Sequence, residues 1–225
     1  MLIVAANIVR NAGGYLDRYL AQVEALRTAL GERGHELRVR VVEGDSTDDT
    51  FDRLVSATMQ HAGMSIWRHD HGGPAFGSID DPVRWANVAR TWNYLLDRIR
   101  VEAFDALILA EADLIWQPGV MLQLLGHLAS VPAVAPMVMM DGIFYDTWGH
   151  RAQGQHFTNA APFHPALVHN RGELMQIDSA GNCIVMRGDV AKACRLCEQD
   201  AMLGHDIYAR GYSLWLDPTV RVDHP

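Results

Sequence analysis

Glu111 and Asp113 are the side chains best placed for chemistry in this 225-residue chain. They follow the apolar residues 107–110, and groups two apart at the end of a strand project to the same side, so both carboxylates face one crevice. Hard oxygen ligands on a rigid apolar stem suit magnesium or manganese bridging a diphosphate. Two solvated acids closing a strand produce the same E-A-D triplet, so the triplet needs support from elsewhere. Asp146 stands near Tyr145 and Trp148. An acid among aromatic faces fits the hydroxyls and ring faces of a carbohydrate, although Trp148 fits a core equally well. Cys194 and Cys197 form a C-x-x-C, which invites a redox or zinc reading, but the apolar spacing around them is that of a helix and favours plain packing. His69 and His71 lie in a polar loop without matching cysteines, so the eleven histidines read as scattered solvent or loop residues rather than a zinc cluster.

Acidic residues outnumber basic ones by 27 to 19, giving a formal net charge of -8, and 49% of the chain is hydrophobic. This composition describes an acidic globular domain and excludes disordered and collagen-like chains. The longest apolar run, residues 131–140, is broken by Pro132 and Pro136. It falls short of the roughly 20 residues a bilayer crossing requires. The first nine residues lack the basic start of a secretory signal. With three cysteines only, a reducing compartment fits, and the expected location is cytoplasmic. The charge argues against tight non-specific binding to nucleic acid.

The elements that must carry these groups follow from periodicity. Residues 2–9 are nearly all apolar, as in a strand covered on both faces. Tyr15, Leu16, Tyr19, Leu20, Val23, Leu26 and Leu30 recur at helical spacing, and Gly31 and Gly34 close that helix. A strand at 37–43 leads into the polar turn GDSTDD, where Ser46 and Thr47 are expected to cap the next helix. A third strand is expected at 64–67, followed by a long Gly/Pro-rich loop, 69–82. Pro82 opens a helix whose apolar face holds Val83, Val88, Leu95, Leu96 and Ile99, and residues 103–110 supply a fourth strand. This alternation argues for a parallel sheet with right-handed crossovers, with ligands at the carboxyl ends of its strands. Glu43 to Thr47 and Glu111 to Asp113 then share one crevice. The second half is less regular, with an apolar strand NCIVMR and a helical stretch around 189–210.

Several segments, taken in order, resemble the nucleotide-sugar-dependent glycosyltransferases of the GT-A fold: VVEGDSTDDT, ANVARTWNYLL, EAD, AGNCIVMRGDV, QDAMLGHDIYARGY and DPTVRVDH. The fold this implies is α/β, with a Rossmann-like, mostly parallel central sheet flanked by helices in a single domain. Residues 1–115 would form the nucleotide-binding half, and 116–225 the acceptor-binding and catalytic half. The resemblance implies that Glu43 meets the nucleobase or ribose, with Gly44 and Asp45 exchanged relative to the usual pattern. Arg90 matches an arginine beside the donor diphosphate, while Thr91 departs from the asparagine that normally follows. Glu111, Ala112 and Asp113 occupy the place of the D-x-D motif, and Ala5, Asn7 and Ser46 complete the implied donor contacts. Asp113 and His224 are the implied metal ligands, for manganese or magnesium. Gly181 and Asn182 match a strand near the acceptor. Asp200, counted back from Gly211, matches the catalytic aspartate, with Gln199 in place of the usual glutamate. FYDTWGHR is similar to a motif of capsule-associated mannosyltransferases and places Asp146 and Trp148 against a sugar.

The implied reaction moves a hexosyl unit from a UDP- or GDP-linked sugar to a hydroxyl acceptor, which is a glycan, a small molecule or a modified nucleic-acid base. A diphosphate is a poor leaving group beside so acidic a protein unless a cation neutralises it. Arg90 has the fork geometry for phosphate oxygens, and equally the setting of a surface ion pair. Asp200 suits a general base, with Glu198 and Asp206 as neighbours able to replace it. Direct attack inverts the anomeric centre, whereas the FYDTW segment resembles retaining enzymes, so both outcomes stand. A sugar nucleotidyltransferase and a decayed sugar- or nucleotide-binding module are the competing readings.

Overall fold

The computed structural model describes every residue except Ala75, Ser78, Ile79, Asp80 and Asn182. The first half alternates strand and helix: β1 (Leu2–Val9), α1 (Leu16–Gly31), β2 (Glu36–Glu43), α2 (Thr50–Gln60), β3 (Met64–Arg68), α3 (Pro82–Ile99) and β4 (Ala106–Ala110). The second half holds α4 (Pro118–His127), β5 (Ala133–Met140), β6 (Ile143–Phe144), β7 (Arg151–Ala152), β8 (Gln155–His156), β9 (Met175–Ile177), β10 (Cys183–Arg187), α5 (Gly188–Ala193), α6 (Gly204–Ala209) and β11 (Leu214–Asp223). The main sheet runs β3-β2-β1-β4-β10-β5-β11-β9. Strands β3, β2, β1 and β4 are mutually parallel. The expected parallel order is interrupted in the middle, where β10 runs antiparallel to both β4 and β5, and again at the edge, where β9 runs antiparallel to β11.

The sheet is covered on both faces, which is why its inner strands read as continuous apolar runs. Ile3, Ala5 and Ile108 point toward Leu16, Tyr19, Leu26, Leu54 and Leu124 of the helices on one face. Val4, Ala6, Leu107 and Leu109 point toward Trp92, Leu95, Leu96 and Ile99 of α3 on the other. Among the described residues no helix is long and apolar enough to cross a membrane.

Three local expectations change. Ser46 and Thr47 do not cap α2, which begins at Thr50 behind Asp49. The Ser46 hydroxyl instead accepts the Asn11 amide at 2.9 Å, and the Thr47 amide donates to Asn11 Oδ1 at 2.8 Å, so the polar turn is tied to the loop after β1. Val83 is 57% exposed rather than part of the buried face of α3. The helical stretch around 189–210 is two helices of six residues each, α5 and α6. Residues 194–203 between them are irregular. The Arg195 and Leu196 amides are taken by side chains of other segments, Asp206 and Asn93, so apolar spacing here marks buried contacts without a helix. Cys194 and Cys197 therefore lie beyond α5; both are free thiols, and burial pushes Cys194 up to about 11.

Candidate active site

The carboxyl ends of β1, β2 and β4 lie side by side, and the residues just past them line a cavity of about 260 Å³. Arg10 and Tyr15 come from the loop after β1, Gly44 and Asp45 from the turn after β2, and Glu111, Ala112 and Asp113 from the end of β4. The turn after β2 sits close against the long loop: a Cβ on Gly44 would stand 2.3 Å from the His69 carbonyl oxygen, which leaves room only for glycine. Asp45 then accepts the amides of His71 at 2.8 Å and Gly72 at 3.0 Å. His69 stacks on Tyr94, and His71 Nε2 lies 2.6 Å from the Thr91 hydroxyl. Because that hydroxyl donates to the Asn87 carbonyl at 2.8 Å, Nε2 carries the proton and donates to it. These histidines anchor the loop to α3, and burial lowers the basicity of His71.

Asp113 lines this cavity, and its Oδ2 lies 3.5 Å from Nε2 of His224. The Asp113 Oδ1 atom is buried and has no hydrogen-bond partner among the described residues. An ionised oxygen left bare in this way is costly unless a cation or donor meets it. The imidazole is held by stacking on Tyr145, with ring centroids 3.8 Å apart, and by its backbone amide, which donates to Met139 O at 2.7 Å. One carboxylate and one imidazole suit manganese or magnesium, with the remaining positions left to phosphate oxygens and water. Among the described residues no group of three or more His, Cys, Asp or Glu side chains converges on a metal site. Tyr15 registers the local negative charge. Burial, then the carboxylates of Asp113 and Glu111, raise its hydroxyl to about 12.

A second cavity, of about 350 Å³, adjoins the first, and Arg84, Val88 and Glu111 line both. Asp146, Trp148, Gly181 and Asp200 line this second space. Asp200 is 9% exposed; its Oδ1 accepts the Met202 amide at 3.0 Å, and its Oδ2 lies 3.3 Å from His205 Nε2 and 3.7 Å from Arg151 Nη1. Of the other acids near it in sequence, Asp206 accepts from the Arg195 amide and from Arg210, and Glu198 pairs with Arg90. Neither lines the cavity. Asp146 spends its oxygens on the protein itself, accepting from the amides of Gly149 at 2.8 Å and Gly181 at 3.0 Å and lying 2.8 Å from His150 Nδ1. It pins the loop that carries Trp148 to the entry of β10. Trp148 stacks on Trp85, centroids 4.9 Å apart, with the Arg151 guanidinium 5.3 Å from its centroid.

Not every residue singled out above reaches a cavity. Arg90 is paired with Glu198 at 2.8 Å and lines neither space. Ala5 and Asn7 are buried inside β1, Ser46 is engaged with Asn11, and Asn182 lies outside the described residues. Glu43 is fully buried at the end of β2; Oε1 accepts the Ser46 amide at 2.9 Å, while Oε2 has no hydrogen-bond partner among the described residues and sits 3.7 Å from Arg68. Trp85, Arg151 and Tyr15 are site residues that the motifs did not reveal. Positions 84, 88 and 92 share one face of α3, and that spacing was the available signal for Arg84 and its neighbour Trp85.

No family model and no curated protein matches the chain. Solved structures do. The mannosyltransferase PcManGT from Pyrobaculum calidifontis, in complex with GDP-Man and Mn2+, is 12% identical over 98% of this chain and 56% of its own, with a TM-score of 0.57. GalNAc-T7 with UDP, GalNAc and Mn2+ is 11% identical over 100% of this chain and 44% of its own, at 0.60. S. aureus TarS 1-349 is 11% identical over 99% of this chain and 60% of its own, at 0.61. The fold is GT-A. The chain thus spans between 44% and 60% of those three proteins. At such identities the likeness carries the GT-A architecture, and the chemistry must be argued from the site.

Proposed function

We propose that this chain is a divalent-metal-dependent glycosyltransferase that moves a hexosyl unit from a UDP- or GDP-linked sugar to a hydroxyl acceptor. The observation that carries this reading is the bare, buried Asp113 Oδ1 beside His224, in a cavity that opens through Arg84 and Glu111 onto the space holding Asp200. The neighbours bound to GDP-Man, UDP and Mn2+ support the same reaction class. Asp113 and His224 would hold manganese or magnesium, which supplies charge neutralisation for the departing diphosphate. Residues 1–115 bind the nucleotide and 116–225 the acceptor.

Arg84, rather than Arg90, faces the diphosphate, because it lines both cavities. Asp200 accepts the proton of the acceptor hydroxyl while that oxygen attacks the anomeric carbon. The bond from the sugar to the diphosphate breaks, and the nucleoside diphosphate leaves with the electron pair. Trp85 and Trp148 form the apolar wall that shields this step from water.

Thermal stability measured against UDP and GDP, with and without manganese, tests the reading. A nucleotide at a hundredfold its dissociation constant adds about 2.7 kcal/mol, a shift of several degrees. Stabilisation that requires both nucleotide and manganese, followed by sugar transfer, is the expected result. Pyrophosphate release from a nucleoside triphosphate would replace it with a nucleotidyltransferase, and tight donor binding without turnover would leave a binding module.

A further inference from the structure

Asp200 sits on a segment with no regular backbone of its own, and the question is what holds it in place. Residues 194–203 fold back on themselves, with the Cys197 amide donating to Met202 O at 2.9 Å and the Ala201 amide to Cys197 O at 2.8 Å. Asp200 lies inside this small loop, close to its end. At the root of the loop stands Leu196, which also lines the second cavity. Its amide donates to Asn93 Oδ1 at 2.9 Å, and its carbonyl accepts from Asn93 Nδ2 at 3.0 Å. The side-chain amide of Asn93 therefore satisfies both backbone groups of one residue, as a neighbouring strand would.

Two further contacts flank it on the same face of α3. Arg90 pairs with Glu198 and Asp97 with Arg195. Each pair has a partner open to solvent, with Arg90 54%, Glu198 45% and Asp97 61% exposed against 21% for Arg195. Pairs of this kind contribute little to holding a segment in place. Asn93 is half-buried and uncharged, and its two bonds involve backbone, so of the contacts from α3 it is the one that sets where the loop sits, beside the Arg195 amide bond to Asp206 at 2.7 Å. The same helix carries Arg84, Asn87 and Thr91 into the donor cavity. One rigid element thus locates both the donor-side groups and the loop bearing Asp200.

We propose that Asn93 is a positioning residue for Asp200, fixing the base against the donor cavity through the backbone of Leu196. The proposal rests on the transferase reading given above. Asn93→Asp keeps size and shape and still accepts the Leu196 amide, but sets a carboxylate oxygen against the Leu196 carbonyl. Asn93→Leu removes both bonds, and Asn93→Gln retains both amide groups on a longer stem. The expected result is a fall in transfer kcat of ~10- to 100-fold for Asn93→Asp and Asn93→Leu, the scale of a base displaced by about 1 Å. Manganese-dependent nucleotide affinity stays within about twofold, since α3 keeps its donor face, and Asn93→Gln recovers part of the rate. Amide exchange quickens in 194–203 and not in the parallel strands. In an Asp200→Asn background Asn93→Asp costs less than about twofold more, because the two residues act as one unit.

A wild-type kcat in Asn93→Asp, or an equal loss with and without Asp200, overturns the proposal. So does nucleotide affinity falling in step with kcat. A wild-type protein that neither binds nucleotide with manganese nor transfers sugar overturns the transferase reading itself, an outcome visible before any variant is made.

Discussion

The cavity at the ends of β1, β2 and β4 and the second cavity are built from different kinds of chain. Around the first, Arg10, Asp45, Glu111 and Asp113 stand one to three residues past the ends of β1, β2 and β4, and ladder register places them. Around the second, Asp146, Trp148, Gly181 and Asp200 come from loops, some of them joining strands as short as two residues. There, polar side chains bound to backbone do what register does elsewhere. Asp146 joins Gly149 to Gly181, Ser179 holds the Gly149 carbonyl at 2.6 Å, and Asn93 holds Leu196. A regular sheet tolerates the loss of any one side chain in its loops. A loop cluster held by a few buried acceptors does not.

That contrast can be broken or sharpened by substitution. The largest effect is expected at the donor side, where Asp113→Ala lowers transfer at least ~10³-fold and abolishes manganese-dependent stabilisation by nucleotide, with the fold intact by calorimetry. Asp200→Asn follows, with kcat down ~10²-fold or more in single-turnover assays and nucleotide binding unchanged. Asp146→Ala should be felt mainly as stability. Removing an acceptor that serves two amides and the buried His150 costs about 3 kcal/mol, a drop of roughly 10 °C in Tm. Trp148→Ala removes a half-exposed stack and should raise the acceptor KM about tenfold, leaving nucleotide affinity alone. Smallest is Arg90→Ala, where loss of a solvent-exposed pair moves Tm by no more than about two degrees and leaves nucleotide affinity within twofold. A larger loss of affinity there would return its guanidinium to the diphosphate.

The same contrast governs what the sequence reveals. β1 is readable to its ends, Leu2 and Val9, and β4 to within a few residues, because strands buried on both faces leave an uninterrupted apolar signature, while β2 and the half-buried edge strand β3 are marked by the turns that bound them. Ser46 and Thr47 misled because a capping residue and a turn residue have the same chemistry; only the partner, here Asn11, distinguishes them. Residues 194–203 misled because burial was read as helical period. The antiparallel entry of β10 left no local trace, since strand direction is a property of the whole path. Asp113 and His224 could be joined only by resemblance to known motifs, and Trp85 was hidden in a helix whose apolar face was counted without its neighbours.

The pairing of Asp113 with His224 has a thermodynamic side as well. The two residues are separated by half the chain, so bringing them together closes one of the longest loops in the molecule. A cation shared by them, as proposed, would bind only where that loop is already closed, and in doing so would draw the population toward the folded form. Chelation should then be felt twice, once as lost turnover and once as a chain that melts earlier.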